Sequence, residues 1–310
     1  MRKPVIGALL LVAAAVGLVF LLASSGAQAR PAGQTAQRQP RRGDSGSPPL
    51  PTPRRADGTP NLGRVPGEQG VWDVKWVRNM ADRIVGTAGS SARGATAADA
   101  TSSDAVVRGG ARSEPHVPFM PWSAAMYDYN SANLSKYDPE GYCLRPGGPR
   151  MMATPYPMEI IKLPEQRRII MIFEGASHIW REIYMDGRPH PRGDALNPTY
   201  LGHAVGRWEG DTLVVDVVGF NEGSWIDYFG HPHTDLLHVV EKFLRPDKNT
   251  LHYEATIDDP GAYTRSWTIS WDIPWNPNGE LTEYICQENN RYLQRLTDDF
   301  GQPIGTKPQR

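Results

Sequence analysis

The chain has 310 residues, with 33 Lys and Arg against 34 Asp and Glu and a formal net charge of −1. A balance so close to zero lacks the basic surplus by which a domain holds phosphates, so no nucleic-acid partner is expected. The chain has 2 cysteines, neither in a short-spaced motif, which argues against a thiol redox motif or a cysteine metal site.

In chain order, a charged Met1–Lys3 is followed by an apolar run from Val5 to Ala23 and by Ala27-Gln28-Ala29. That order reads as an export signal over 1–29. The run is almost long enough to span a bilayer, so a retained N-terminal anchor is the alternative. Membrane contact is expected only in that second case. Either way the folded part is expected outside the cytoplasm, periplasmic or secreted. Residues 30–66 are rich in Arg and Pro and poor in large apolar residues. They are expected to form a disordered tether, because they cannot offset the entropy of ordering. The β-rich domain is placed at 67–302, with a low-complexity insertion at 88–113 and a tail at 303–310. An exported chain with Cys143 and Cys286 is expected to join them, which would tie the start of the domain to its last strand. Closing so long a loop stabilises by about 4–5 kcal/mol in the chain-entropy description.

From Met158 onward the pattern is strand and turn. MEIIKL (158–163), RIIMIFE (168–174) and HIWREIYM (178–185) come first. GHAVGRW (202–208) and TLVVDVV (212–218) follow, joined by Glu209-Gly210-Asp211, a hairpin loop with glycine for a positive φ. HVVEKFLR (238–245), LHYEATI (251–257), SWTISWDI (266–273) and LTEYICQ (281–287) complete the series. A further strand is expected within Val71–Trp76 and a short helix within Tyr127–Tyr137. Many strands joined mostly by hairpins predict an all-β antiparallel fold. It must close into an up-and-down barrel or pack as a sandwich to protect its edges. The barrel is favoured. Gly70-Val71-Trp72 resembles the Gly-x-Trp that opens the first strand of lipocalins.

Longer blocks carry a second resemblance. RRADGTPNLG, PYPMEII, IYMDGRPHP, GHAVGRWEGDTLVVDVVGFNE, HPHTDLLHVVEKF, TIDDPGAYTRSW and EYICQENN recur in one order from Arg54 to Asn290. Together they resemble a family of exported bacterial β-rich proteins that carry no assigned activity. The resemblance implies one exported β domain, with the Ala/Ser stretch after Thr87 as an insertion. It supplies no catalytic residues.

The chemistry must therefore come from ionisable groups in the strands. Standard nucleotide, serine-hydrolase and helical zinc motifs are absent from the sequence. Asp216 lies within LVVDVV and shares its strand face with Val214 and Val218. Glu241 shares its face with Val239 and Phe243, and Arg181 lies between Ile179 and Ile183. An apolar face with one charge in each of three strands predicts a partnered cluster, in which Arg181 or Arg207 neutralises Asp216 and Glu241. The alternative is a ligand cavity in which a desolvated carboxylate exchanges protons. His231, His233 and His238, with Asp235 nearby, have spacing that suggests a metal. Loop histidines more often bond to backbone or water, so no metal and no cofactor is assigned. His233 and His238 are placed at a pocket rim instead. Trp208 and Trp225 flank the Asp216 strand, and Trp225 lies in a loop of a length that suits a lid.

These readings converge on an exported barrel that binds a small, largely apolar or aromatic molecule in its cavity. The ligand-binding candidates are Arg181, Arg207, Trp208, Trp225 and His233. The rival reading is an acid–base enzyme, an isomerase, hydratase or dehydratase, that uses His203, His238, Asp216 and Glu241. A metal-binding or envelope-interaction protein is a third reading.

Overall fold

The computed structural model describes residues 48–86, 116–175, 179–288 and 290. The expectations for 1–29, 88–113 and 303–310 fall outside the described residues. The described residues all belong to one compact unit. Nine strands close into one barrel in sequence order. They are β1 (Val71–Trp72), β2 (Met158–Leu163), β3 (Arg168–Phe173), β4 (Ile179–Tyr184) and β5 (His203–Glu209). The remaining four are β6 (Thr212–Val218), β7 (His238–Asp247), β8 (Thr250–Asp258) and β9 (Trp267–Asn276). The barrel, rather than the sandwich, is the fold.

Alternation drives the architecture. In β6 to β9 the odd-numbered residues face inward and are buried, among them Val215, Val239, Phe243, Tyr253, Ile257, Ile269 and Ile273. Trp267, Trp271 and Trp275 belong to this inner set, as core residues. Branched and aromatic side chains of that size fill the interior of a small barrel. The cavity described below accordingly lies in the wall.

One pairing departs from the expected antiparallel meander. β4 and β5 run parallel and meet only at Ile183↔Ala204 and Tyr184↔Val205. The segment 185–202 between them is too long for a hairpin and returns the chain to the starting end. The brevity of that pairing leaves a seam in the wall.

Three further expectations are corrected. LTEYICQ (281–287) is not a strand; β9 ends at Asn276 and β1 occupies its other edge. The helix expected within 127–137 starts earlier, as α1 (Pro121–Asn133), because Pro121 is suited to a first helical turn. α1 is tied to the long loop 219–237, where Asn130 Nδ2 donates to Gly230 O at 2.9 Å. Finally, residues 48–66 of the expected tether are held against the barrel. Leu62 is buried, and its carbonyl accepts from Trp72 Nε1 at 2.7 Å. Arg245, itself buried, donates from Nη1 to the carbonyls of Asn61 and Gly63 and stacks over Trp72, 4.9 Å from the ring centroid. A Cβ on Gly63 would stand 2.0 Å from Ile160 O, so only glycine permits this approach to β2. Low apolar content misled the sequence reading here: the segment is held mainly through its backbone carbonyls.

Cys143 and Cys286 form a disulfide, with Cα atoms 5.6 Å apart. The bridge ties the segment after α1 to the stretch that follows β9.

A chain beginning at Gly67 should therefore be destabilised. It loses Leu62 burial and two charge-assisted bonds from Arg245, together about 3 kcal/mol or more. The expected fall in melting temperature is about 6–12 °C. A calorimetric scan showing a shift under two degrees would mean the segment does not hold the barrel.

Candidate active site

Parity decides where the sequence-predicted charges go. Glu241 and Arg181 lie on inward positions of β7 and β4, and both are buried. Arg181 Nη2 donates to Glu241 Oε2 across the barrel interior. Tyr253 Oη donates to Glu241 Oε1 at 2.8 Å. Beside Glu241, the Tyr253 phenol is pushed well above its ordinary pKa, first by burial and then by the carboxylate. The expected pairing of Glu241 with Arg181 is present, and the pair is an internal brace of the barrel.

Asp216 has a different fate. It occupies an outward position, and its side chain is 34% exposed. The expectation that it is removed from water and paired with Arg181 or Arg207 is overturned. Arg207 is exposed and pairs with Glu209 at 2.6 Å. The partners of Asp216 are histidines. His190 Nε2 lies 3.0 Å from Asp216 Oδ1, and His238 Nε2 lies 3.1 Å from the same oxygen. His190 Nδ1 lies 2.8 Å from His203 Nδ1. Three strands and one connection supply the set. β5 and β6 pair His203 with Val218 and Val205 with Asp216, which puts His203 and Asp216 on one outer face. β7 pairs Val240 with Asp216, so His238 joins that face. The 185–202 connection delivers His190.

The protonation pattern follows from donors and acceptors. A carboxylate only accepts, so His190 and His238 each present Nε2–H to Asp216. A neutral His190 then has a lone pair at Nδ1, which accepts from His203 Nδ1–H. That leaves His203 Nε2 with a lone pair. Burial first, and then neighbouring His190, hold the pKa of His203 below its ordinary value, so the ring is neutral near pH 7.

His203 opens onto a cavity of about 310 Å³ at the seam. β4 contributes Arg181, Glu182 and Tyr184 to its wall, and the far side includes Leu196, Leu201 and His203. Tyr184 stacks on His203 with centroids 5.2 Å apart. Its phenol is pushed above the ordinary value, chiefly by its hydrogen bond to Glu182, with burial second. Glu182 in turn pairs with Arg168 at 2.5 Å. One cavity therefore presents an imidazole held in its unprotonated form and a phenol biased to keep its proton.

The other candidates lie elsewhere. His233 is buried, with Ser224 Oγ 3.2 Å from its Nε2 and the Thr234 carbonyl 3.1 Å from its Nδ1, so it is not at a pocket rim. Trp208 packs partly buried against the core, with Lys162 Nζ 5.9 Å from its ring centroid. Trp225 is half-buried in the 219–237 loop and does not line the seam cavity. The histidines considered for a metal are dispersed. His231 pairs with buried Asp227 at 2.8 Å, and His238 faces Asp216. Among the described residues no group of three or more His, Cys, Asp or Glu is arranged to hold a metal ion. His190 and Tyr184 were missed as functional residues, although His190 stands in the quoted IYMDGRPHP block. The signal available was the length of 185–202, which rules out a hairpin.

Fold and site together define a closed nine-strand β-barrel with an imidazole–carboxylate chain on its outer wall, beside a cavity at a parallel seam. In comparisons with known proteins, no family model matches the chain, and neither does any curated protein or any solved structure.

The two carboxylates should respond differently to loss of charge. Glu241→Gln leaves the Arg181 guanidinium buried and unpaired, at a cost of about 3–5 kcal/mol. Asp216→Asn removes a half-exposed charge that keeps contact with water, and should cost about 1 kcal/mol or less. Urea midpoints at pH 7.5 read the difference. Equal losses would mean that Asp216 is a structural anchor.

Proposed function

We propose that the protein is an acid–base enzyme whose site is the seam cavity, with His203 as proton acceptor. One observation carries this reading: the hydrogen-bonded run His203–His190–Asp216–His238, whose first member lines a cavity. When His203 Nε2 takes a proton from substrate, its Nδ1 proton can shift to His190 across 2.8 Å. The positive charge then lies between two rings, next to Asp216. Such delocalisation lowers the cost of the charged state that proton abstraction creates. The proton taken by His203 returns to the product from the same imidazole pair, while Tyr184, whose phenol keeps its proton beside Glu182, holds the His203 ring by stacking. Environments that push two titrating groups apart in one cavity suit an isomerase, hydratase or dehydratase. Asp216, His190 and His238 are positioning residues in this scheme, because they act through His203. Glu241 is not in the proton path. It holds Arg181.

A carrier for a small apolar or aromatic molecule is the second reading, favoured by Leu196 and Leu201 in the cavity wall. Under either reading we place the protein outside the cytoplasm. The Cys143–Cys286 bridge supports an oxidising compartment, as does the charged-then-apolar start of the chain.

Solvent-deuterium incorporation separates the two. The protein is incubated in D2O with a panel of small oxo acids, hydroxy acids and neutral ketones, and exchange at carbon is followed by NMR. Exchange should occur with at least one member and fall about 100-fold or more in His203→Gln. The base form of His203 exists above its folded pKa, which is depressed. Activity should therefore rise with pH on an acid limb whose midpoint lies below about 6.5. Exchange that is absent throughout, or unchanged in His203→Gln, would refute the enzyme reading.

A further inference from the structure

We propose that the seam cavity takes a monocarboxylate with an apolar remainder, and that the inner guanidinium of Arg181 holds the carboxylate. This rests on the reading of the seam as a substrate site and names the substrate class. The starting observation is an incomplete hydrogen-bond inventory. Arg181 is 3% exposed, and a guanidinium carries five N–H donors. Nη2 donates to Glu241, but Nε and Nη1 are buried with no partner among the described residues. Buried donors on a charged group are costly to leave unmatched. Arg181 also lines the seam cavity; Nε and Nη1 themselves are closed to water-sized space, so an acceptor that enters there meets them when the guanidinium turns toward the seam.

Charge selects the acceptor. Arg181 is neutralised by Glu241, and Glu182 by Arg168. Arg145, exposed in the same wall, has no ion-pair partner among the described residues. The cavity therefore carries one uncancelled positive charge, which a monoanion balances and a phosphate dianion overshoots. A planar carboxylate also matches the guanidinium fork. Leu196, Leu201 and the exposed Trp180 at the same cavity favour an apolar body on that carboxylate. Anchoring the acid at Arg181 brings the rest of the molecule into the space that His203 and Tyr184 share.

The probes are benzoate, phenylacetate and hexanoate, each compared with its matching alcohol by isothermal titration at pH 7.5. At least one acid should bind ten-fold or more tightly than its alcohol. Arg181→Met alone strands Glu241, so the informative variant is Arg181→Met with Glu241→Gln, which removes both charges. If it melts cooperatively, it should lose the preference for acid over alcohol. If it does not fold, Arg145→Gln provides the test and should weaken the acids several-fold while leaving the alcohols unchanged. Equal binding of acids and alcohols would overturn the proposal, as would a preference that survives in the double variant or, where that fails to fold, in Arg145→Gln. Exchange with neutral ketones but no acid preference refutes the carboxylate alone. Acid binding with no exchange refutes the enzyme reading alone.

Discussion

The constraint on which the rest of the structure depends is the parallel contact between β4 and β5. Every other neighbouring pair in the barrel is antiparallel, and most of these share six or more paired residues. This one has two. A parallel neighbour needs a crossover, so the chain spends 185–202 outside the wall before β5 begins. Three consequences follow from that single choice. The strands diverge above Ile183 and leave a cavity. The crossover places His190 over the outer face of β5 and β6. And Arg181, an inward residue, gains a wall cavity beside it. Remove the parallel step and none of the site would assemble.

The two acidic positions in apolar strands show how strand parity sorts a half-exposed carboxylate from a buried one. Asp216 and Glu241 look alike in sequence, each a carboxylate among valines. Val215 pairs with Glu241 and Val240 pairs with Asp216, so the two carboxylates point to opposite sides of the same sheet. The inner one is met by a guanidinium and a phenol in a dry interior, where an unpaired charge is not tolerated. The outer one keeps partial contact with water and is met by imidazoles. Partners differ because dielectric differs. A permanent cation is needed inside, whereas outside, with water at hand, imidazole N–H donors suffice.

Much of the fold was legible because alternation survives in the sequence wherever one strand face is buried. TLVVDVV, HVVEKF and SWTISWDI all form strands within a residue or two at their N-terminal ends. The hairpin between His203 and Asp216 was also legible, since a tight Glu209-Gly210-Asp211 turn fixes register, and register fixes faces. His238 was grouped with Asp216 and Glu241 by residue type alone; which carboxylate it meets was not legible, because the 219–237 loop lets β7 pair in any register. Arg54 to Leu62 was misjudged for a related reason. Its anchors are largely backbone carbonyls and the Arg54–Asp211 pair, and neither leaves an apolar pattern to read. LTEYICQ erred in the opposite direction. Its composition suits a strand, but the barrel already closes through β1 and offers no free edge beside β9.

The proposed site draws on both sides of one wall. In a barrel with every strand fully paired, inner and outer side chains are separated by a continuous hydrogen-bonded sheet and cannot address one ligand. The short β4–β5 contact breaks that separation. Arg181 reaches the seam from the inside, braced by Glu241 against the opposite wall. His203 reaches it from the outside, oriented by His190 and Asp216. Each group keeps the environment that sets its charge: the guanidinium stays dry and paired, and the imidazole stays neutral and backed by a relay. A fixed cation and a polarised base normally compete for the same local dielectric. Here they are divided by the thickness of a strand and meet only in the cavity at its edge.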